Sequence, residues 1–287
     1  MDQKPVLAII GGSGLYEFPA LEKVDKLSID TPYGKPSGPI VVGTLDGKKI
    51  AFLARHGIGH IYNPSEVNYR ANIYALKTLG VQQIISISAC GSLREDFVPG
   101  QIVVPSQLFD YTHLRKRSFF EEGLVAHISV ADPFCPTLST LLHQTLTSVG
   151  ATAHKGGAMI TIEGPRFSTK IESNTYRSWG LSLIGMTTSP EAFLAREAEM
   201  CYAVMAHVTD YDVWHIAEES VNVDLVIKTL HKNTELAQQT IIKMVSTMDE
   251  HKDCTCNHAL ENAIITQQNF QSEKAVRKLG ILMEKYK

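Results

Sequence analysis

The chain has 287 residues, of which 44% are hydrophobic and 20% charged, the make-up of a soluble globular protein with room for a sizeable core. Its formal net charge of -3, from 27 Lys+Arg against 30 Asp+Glu, argues against a general attraction to nucleic acid or to an anionic membrane, so an anionic ligand has to be held locally. Five cysteines scattered along the chain do not form the pattern of a secreted disulfide framework and read mostly as buried thiols.

The opening MDQKPVLAIIGGSG has only the apolar run VLAII (6–10) before its glycines. That run is too short for a secretory or membrane-spanning segment, so a cytoplasmic location is expected. VLAII reads as the first strand. IAFLA (50–54), IISISA (84–89), QIVVPSQ (101–107), LSLIGM (181–186) and AVMAHV (203–208) follow as further strands. Between them, residues 65–80, 136–150 and 190–200 carry helical spacing, with Pro64–Ser65 and Pro136–Thr137 near starts and Gly80 and Gly150 at ends. Residues 220–248 read as one long amphipathic helix that lays a Val/Leu/Ile stripe on the sheet.

This alternation predicts an α/β fold, a single domain with a central mixed, twisted β-sheet flanked by helices. Residues 1–248 form the catalytic domain of this reading. Residues 249–287 form a helical tail, either part of the same domain or an assembly element, in which DEHKDCTCNH is a polar break before a last helix. Within it, Cys254-x-Cys256 beside His258 lacks the second ligand pair of a structural zinc site. A redox pair and two unrelated thiols are the other readings, and the motif stays unassigned.

In α/β sheets, ligands collect where strands end. After the first strand, GGSG supplies a glycine turn with the Ser13 hydroxyl, which suits an anion or a tight structural turn; it lacks the third glycine of a dinucleotide fingerprint and has no Walker lysine. Arg55 and His56 follow the second strand, Ser88 lies near the end of the third, and Thr187 and Thr188 follow LSLIGM. Hydroxyls at Ser13, Ser88 and Thr187 with one guanidinium at Arg55 suit an anion the size of inorganic phosphate, and the missing lysine cluster argues against a polyphosphate.

The strand ending in TDYDVW delivers Asp210 and Asp212 one position apart around Tyr211. On extended backbone both acids face one space, while Tyr211 packs the other way. Three readings stand: the chain has reached water, a metal binds there, or a ligand rich in hydrogen-bond donors does. No third ligand nearby in sequence supports a metal.

Taken together and in order, GGSG, ARHG, ACGSLRE, TIEGPRFST, GMTTSPE and TDYDVW resemble the trimeric purine nucleoside phosphorylase family over about residues 6 to 245. The resemblance implies a nucleoside phosphorylase-like fold. It also implies attack of inorganic phosphate, a co-substrate, on C1′ of a purine nucleoside, without metal or organic cofactor. Among the family's substrates the residues favour 5′-methylthioadenosine, cleaved to adenine and 5-methylthioribose 1-phosphate in purine and methionine salvage.

Carried over to this chain, Ser13, Arg55, His56, Ser88 and Thr187 are expected to hold phosphate; at Ser13 and Ser88 many relatives have threonine. Asp210 is expected at purine N7 and Asp212 at the 6-amino group, since paired carboxylates push one pKa upward and an amino donor asks for an acceptor. Relatives that cleave inosine and guanosine carry asparagine at the Asp210 position, and a glutamate where Ser168 follows Phe167 here. Ala89, Phe167 and Met186 would contact the nucleoside, and Val223 and Val226 would wall its 5′ substituent. His127 would reach that end from a neighbouring subunit, which implies a homotrimer or a dimer of trimers. Competing readings are a phosphorylase for methylthioinosine or 6-oxopurine nucleosides, a water-using nucleosidase, a dehydrogenase, and a non-catalytic nucleoside-binding protein.

Overall fold

The computed structural model describes residues 3–11, 18–216, 222–248 and 253–286. Eleven strands form one mixed sheet: β1 (Leu7–Gly11), β2 (Glu22–Leu27), β3 (Ile40–Leu45), β4 (Lys48–Ala54), β5 (Gln83–Ser92), β6 (Ile102–Val104), β7 (Gln107–Tyr111), β8 (Ala153–Lys155), β9 (Ala158–Ile162), β10 (Leu183–Gly185) and β11 (Cys201–Asp210). The helices are α1 (Tyr69–Thr78), α2 (Pro136–Ser148), α3 (Lys170–Ser178), α4 (Thr188–Glu197), α5 (Val223–Thr247) and α6 (Glu273–Leu279). The α/β class with a central mixed sheet flanked by helices is as the sequence predicts.

Alternation along the strands divides the core. Ala8, Ile10, Ala51, Leu53 and Ile84 belong to one apolar cluster, and Leu7, Ile9, Ile50, Phe52 and Ile85 to another, the period-two signature of a sheet buried on both faces. β5 is the hub: its first half pairs in parallel with β1, its last residues pair antiparallel with β10, and β11 runs parallel along its other side. Because β1 is also parallel to β4, the carboxyl ends of β1, β4, β5 and β11 fall at one end of the sheet.

Several boundaries differ from the sequence reading for physical reasons. α1 begins after Asn68, whose side chain accepts from the Ala71 N–H, so the Pro64–Ser65 pair lies in the preceding turn. α2 begins on Pro136 with Cys135 as its N-cap. QIVVPSQ is broken into β6 and the start of β7 by Pro105, which has no amide to donate. α5 seats Ala237, Ile241, Met244 and Val245 in the core, while Val223 and Ile227 at its start are exposed.

The tail is less helical than expected. It consists of 3-10 turns and the short α6, and it places Leu260, Ala263, Ala275, Leu279, Leu282 and Met283 in the main core. Glu199 anchors it by accepting from Lys285 Nζ at 2.9 Å and from the Leu260 N–H at 3.2 Å. No helix among the described residues is long and apolar enough to cross a membrane.

Candidate functional site

β11 is buried along its whole length and ends at Asp210, where its pairing with β5 shifts register opposite Gly91. A β-carbon at Gly91 would lie 2.9 Å from Asp210 Oδ1 and 3.2 Å from the Asp212 β-carbon, so glycine there makes room for both acids. The expectation that the two sit alike on extended backbone is corrected: Asp212 has φ +51, a left-handed turn that Asp adopts more readily than most residues. That turn brings the Asp212 N–H to Asp210 Oδ1 at 2.7 Å, while Thr209 Oγ1 donates to Asp210 Oδ2 at 2.6 Å.

The electrostatics of the pair also differ in cause from the sequence reading. Burial is what pushes the Asp210 carboxyl up to about 6; the Thr209 and Asp212 donors oppose it and the Asp212 charge adds the least. Asp212 is likewise raised by burial, with the Ser173 and Ser168 hydroxyls beside it pulling down. Neither hydroxyl reaches hydrogen-bond geometry, and Asp212 Oδ2, Ser168 Oγ and Ser173 Oγ have no partner among the described residues. Tyr211 is buried as expected and lies against Trp214 and His215.

The residues expected to hold phosphate come from neighbouring strands. Ser88 is buried on β5 with its hydroxyl unpartnered among the described residues, and Ala89 is half-buried beside it. β10 runs antiparallel to the end of β5, pairing Leu183 with Ser92 and Ile184 with Gly91. β10 ends at Gly185, where an added β-carbon would lie 3.8 Å from the Ala89 carbonyl. Thr187 is buried at the start of α4, and its side chain caps no backbone group there. Ser13 lies outside the described residues.

Arg55 follows β4 as expected, but its fork is already engaged. Nε and Nη2 donate to the two oxygens of Glu191 at 2.8 and 3.0 Å, Nη2 also to Ser86 Oγ at 2.6 Å, and Nη1 to the Ile87 carbonyl at 3.3 Å. Tyr202 Oη adds a bond to Glu191 at 2.8 Å. The guanidinium expected to hold phosphate is thus fixed in a buried ion pair with Glu191 under the strand ends. His56 Nδ1 faces the Tyr62 carbonyl at 2.9 Å and its ring stacks on His60. Burial first, then the Arg55 charge, lowers its pKa to about 4, so the ring is neutral at pH 7 and presents Nε2 as an acceptor.

A second buried arginine, absent from the sequence reading, joins the loop after β9 to the start of α4. Arg115 donates to the Met186 and Ser189 carbonyls at 2.7 Å each, to the Glu163 carbonyl at 2.8 Å and to Glu163 Oε1 at 3.2 Å. It ties the loop after β9, which carries half-buried Phe167, to the start of α4. Nothing in LRKR or TIEGPR announces this clamp, because its members are distant in sequence.

Three expected residues are open to solvent to different degrees. His127 is exposed, and its N–H bonds to the Ala263 carbonyl of the tail at 2.8 Å. Val223 is 59% exposed and Val226 half-buried on the first turns of α5. Among the described residues the strand ends thus offer one unpartnered hydroxyl, Ser88 Oγ, and, at the end of β11, a buried carboxyl of raised pKa beside an unpaired carboxylate oxygen.

The family profile described as Phosphorylase superfamily matches residues 6–246. An S-methyl-5′-thioadenosine phosphorylase of Geobacter sulfurreducens is 49% identical over 282 residues, covering 98% of this chain and 99% of that protein. Among solved structures, a methylthioadenosine phosphorylase from an antarctic soil metagenomic library superposes with a TM-score of 0.92 at 45% identity, covering 98% and 99% of the two chains. One from Schistosoma mansoni in complex with adenine superposes at 0.86 with 36% identity, covering 93% of this chain and 100% of that one.

Proposed function

The chain belongs to the phosphorylase superfamily, and from that membership and the geometry of the site we infer that it cleaves 5′-methylthioadenosine with inorganic phosphate, giving adenine and 5-methylthioribose 1-phosphate. It is thus an enzyme of the pentosyltransferase class, acting in purine and methionine salvage, with phosphate as a co-substrate.

Bond breaking at C1′ makes the ribose cationic and sends negative charge into the purine, so a proton delivered to N7 lowers the barrier. Asp210 is suited to deliver it, being buried, fixed by two donors, and raised in pKa to about 6. Asp212 Oδ2, with no partner among the described residues, would accept from the 6-amino group. Ser88 and Thr187, with Ser13, would hold the phosphate. Neutral His56 would accept from a phosphate hydroxyl, and the Arg55–Glu191 pair would fix the strand ends beneath it. Ala89, Phe167 and Met186 would contact the nucleoside.

The observation that carries this reading is the pairing of a raised, oriented Asp210 with an unpartnered Asp212 oxygen. The homotrimer or dimer of trimers stays part of the proposal: exposed His127, and Val223 with Val226, would complete the 5′ pocket across a subunit boundary. A cytoplasmic location belongs to the proposal too. The test is release of free base and sugar phosphate from methylthioadenosine, adenosine and methylthioinosine, each with and without phosphate. Phosphate-dependent adenine release, fastest from methylthioadenosine, is the expected result; release without phosphate would make the chain a hydrolase.

A further inference from the structure

The Cys254-x-Cys256 motif lacks a second ligand pair in sequence, and the fold supplies one. Cys135, the N-cap of α2, and Cys201, the first residue of β11, place their sulfurs with those of Cys254 and Cys256 so that all four Sγ atoms lie within 4.8 Å of one another. Cys135, Cys201 and Cys256 are buried, Cys254 is partly exposed, and all four are free thiols. The Cys135–Cys254 sulfur separation is 3.7 Å. Four thiolates about a zinc ion at about 2.3 Å form a tetrahedron with edges of about 3.8 Å.

We propose that these four cysteines form a structural site for a thiophilic divalent cation, of which zinc is the probe. Binding proceeds as four thiols plus one cation giving a tetrathiolate complex and four protons released to solvent, so no redox partner is needed. The surroundings suit the negative complex. The Leu138 N–H at the start of α2 points at Cys135 Sγ at 3.4 Å, and the Asn257 N–H closes the short loop on the Cys254 carbonyl at 2.8 Å. Asn257 Oδ1 accepts from the Cys254 N–H at 3.1 Å and its Nδ2 donates to the Glu199 carbonyl at 2.9 Å, holding the short loop in place. His258 takes no part; it pairs with Asp253 at 3.0 Å.

Ligands from α2, from β11 and from the tail would make the cation a clamp. It would tie residues 254–256 to the strand that ends in Asp210. All four ligands are thiols and a closed four-coordinate shell leaves no open position, so the role is structural.

The experiment takes the full chain, reduced and stripped with a chelator, and titrates it anaerobically with Co²⁺ and then Zn²⁺. The expected result is saturation at about one ion per chain, with sulfur-to-cobalt charge-transfer and intense tetrahedral ligand-field bands, both abolished by one equivalent of zinc. Cys201→Ser and Cys254→Ser should weaken and shift those bands, while Cys90→Ser, outside the cluster, should leave them intact. Zinc should also raise the unfolding temperature of the parent and not of Cys254→Ser. Absence of the bands with all five thiols reactive after unfolding would overturn the proposal in favour of a bare thiol cluster. Absence of the bands with fewer than five reactive thiols before reduction would overturn it in favour of disulfides.

Discussion

The main-chain N–H of Asp212 donates to Oδ1 of Asp210 at 2.7 Å, so the residue expected to grip the 6-amino group also aims the residue expected to protonate N7. Orientation and chemistry are coupled through one left-handed turn.

Asp210 has its pKa pushed up to about 6 by burial, and a general acid works only while protonated. The kcat/KM for methylthioadenosine should therefore fall as pH rises through about 6, along a limb that Asp210→Asn removes. That variant should lose about 10²- to 10⁴-fold in turnover while partly tolerating 6-oxopurine nucleosides. An unchanged limb, or an unchanged preference for adenine over hypoxanthine, would place the acid elsewhere.

Asp212 presents one carboxylate oxygen with no partner among the described residues, and asparagine tolerates the same φ of +51. Asp212→Asn should keep the fold and lower kcat/KM for the amino purine by about 10- to 100-fold, the cost of a mismatched buried hydrogen bond. Steady-state rates beside a thermal unfolding curve separate this from simple destabilisation.

Arg55 and Glu191 are 1% and 0% exposed and bound fork to fork. Arg55→Ala leaves a buried carboxylate uncompensated and should cost about 3–5 kcal/mol, whereas Arg55→Met with Glu191→Leu should restore much of that loss. Denaturant unfolding of the two single variants and the double variant measures the coupling. Single and double losses that simply add would refute the pairing as the source of stability.

Burial raises the Glu197 carboxyl to about 7, against donors at the Phe119 N–H and Ser118 Oγ. The folded state then holds this proton more tightly than the unfolded state, whose carboxyl titrates near about 4.3. Its contribution to stability is therefore largest at low pH and is lost as pH rises through about 7. Glu197→Gln should flatten this part of a stability profile measured between about pH 5 and 8.

Legibility in the sequence follows burial. β1, β4, β5 and β11 are near-continuous apolar runs, and their carboxyl ends, where the sequence reading looks for a site, fall at one end of the sheet. β2 gives no such signal because its residues are almost all exposed at the sheet edge, and α3 gives little because only Ser173 and Tyr176 are buried on it. The turn at Asp212 depends on a backbone angle that no residue pattern demands. The Arg115–Glu163 clamp, the Arg55–Glu191 pair and the four-cysteine cluster join residues far apart in the chain, and a single sequence carries no record of such meetings.

Ser88 separates function from stability most cleanly. Its hydroxyl is buried, with no partner among the described residues, so removing it sacrifices no hydrogen bond to any of them. Ser88→Ala should leave denaturant stability within about 0.5 kcal/mol of the parent. A hydrogen bond to a charged group contributes about 1.5–3 kcal/mol, so losing one to phosphate should raise the phosphate KM by roughly 10- to 100-fold. The KM for the nucleoside at saturating phosphate should change little. If the nucleoside KM rose and the phosphate KM stayed put, Ser88 would belong to the sugar, and the anion site would rest on Thr187, His56 and the glycine turn that carries Ser13.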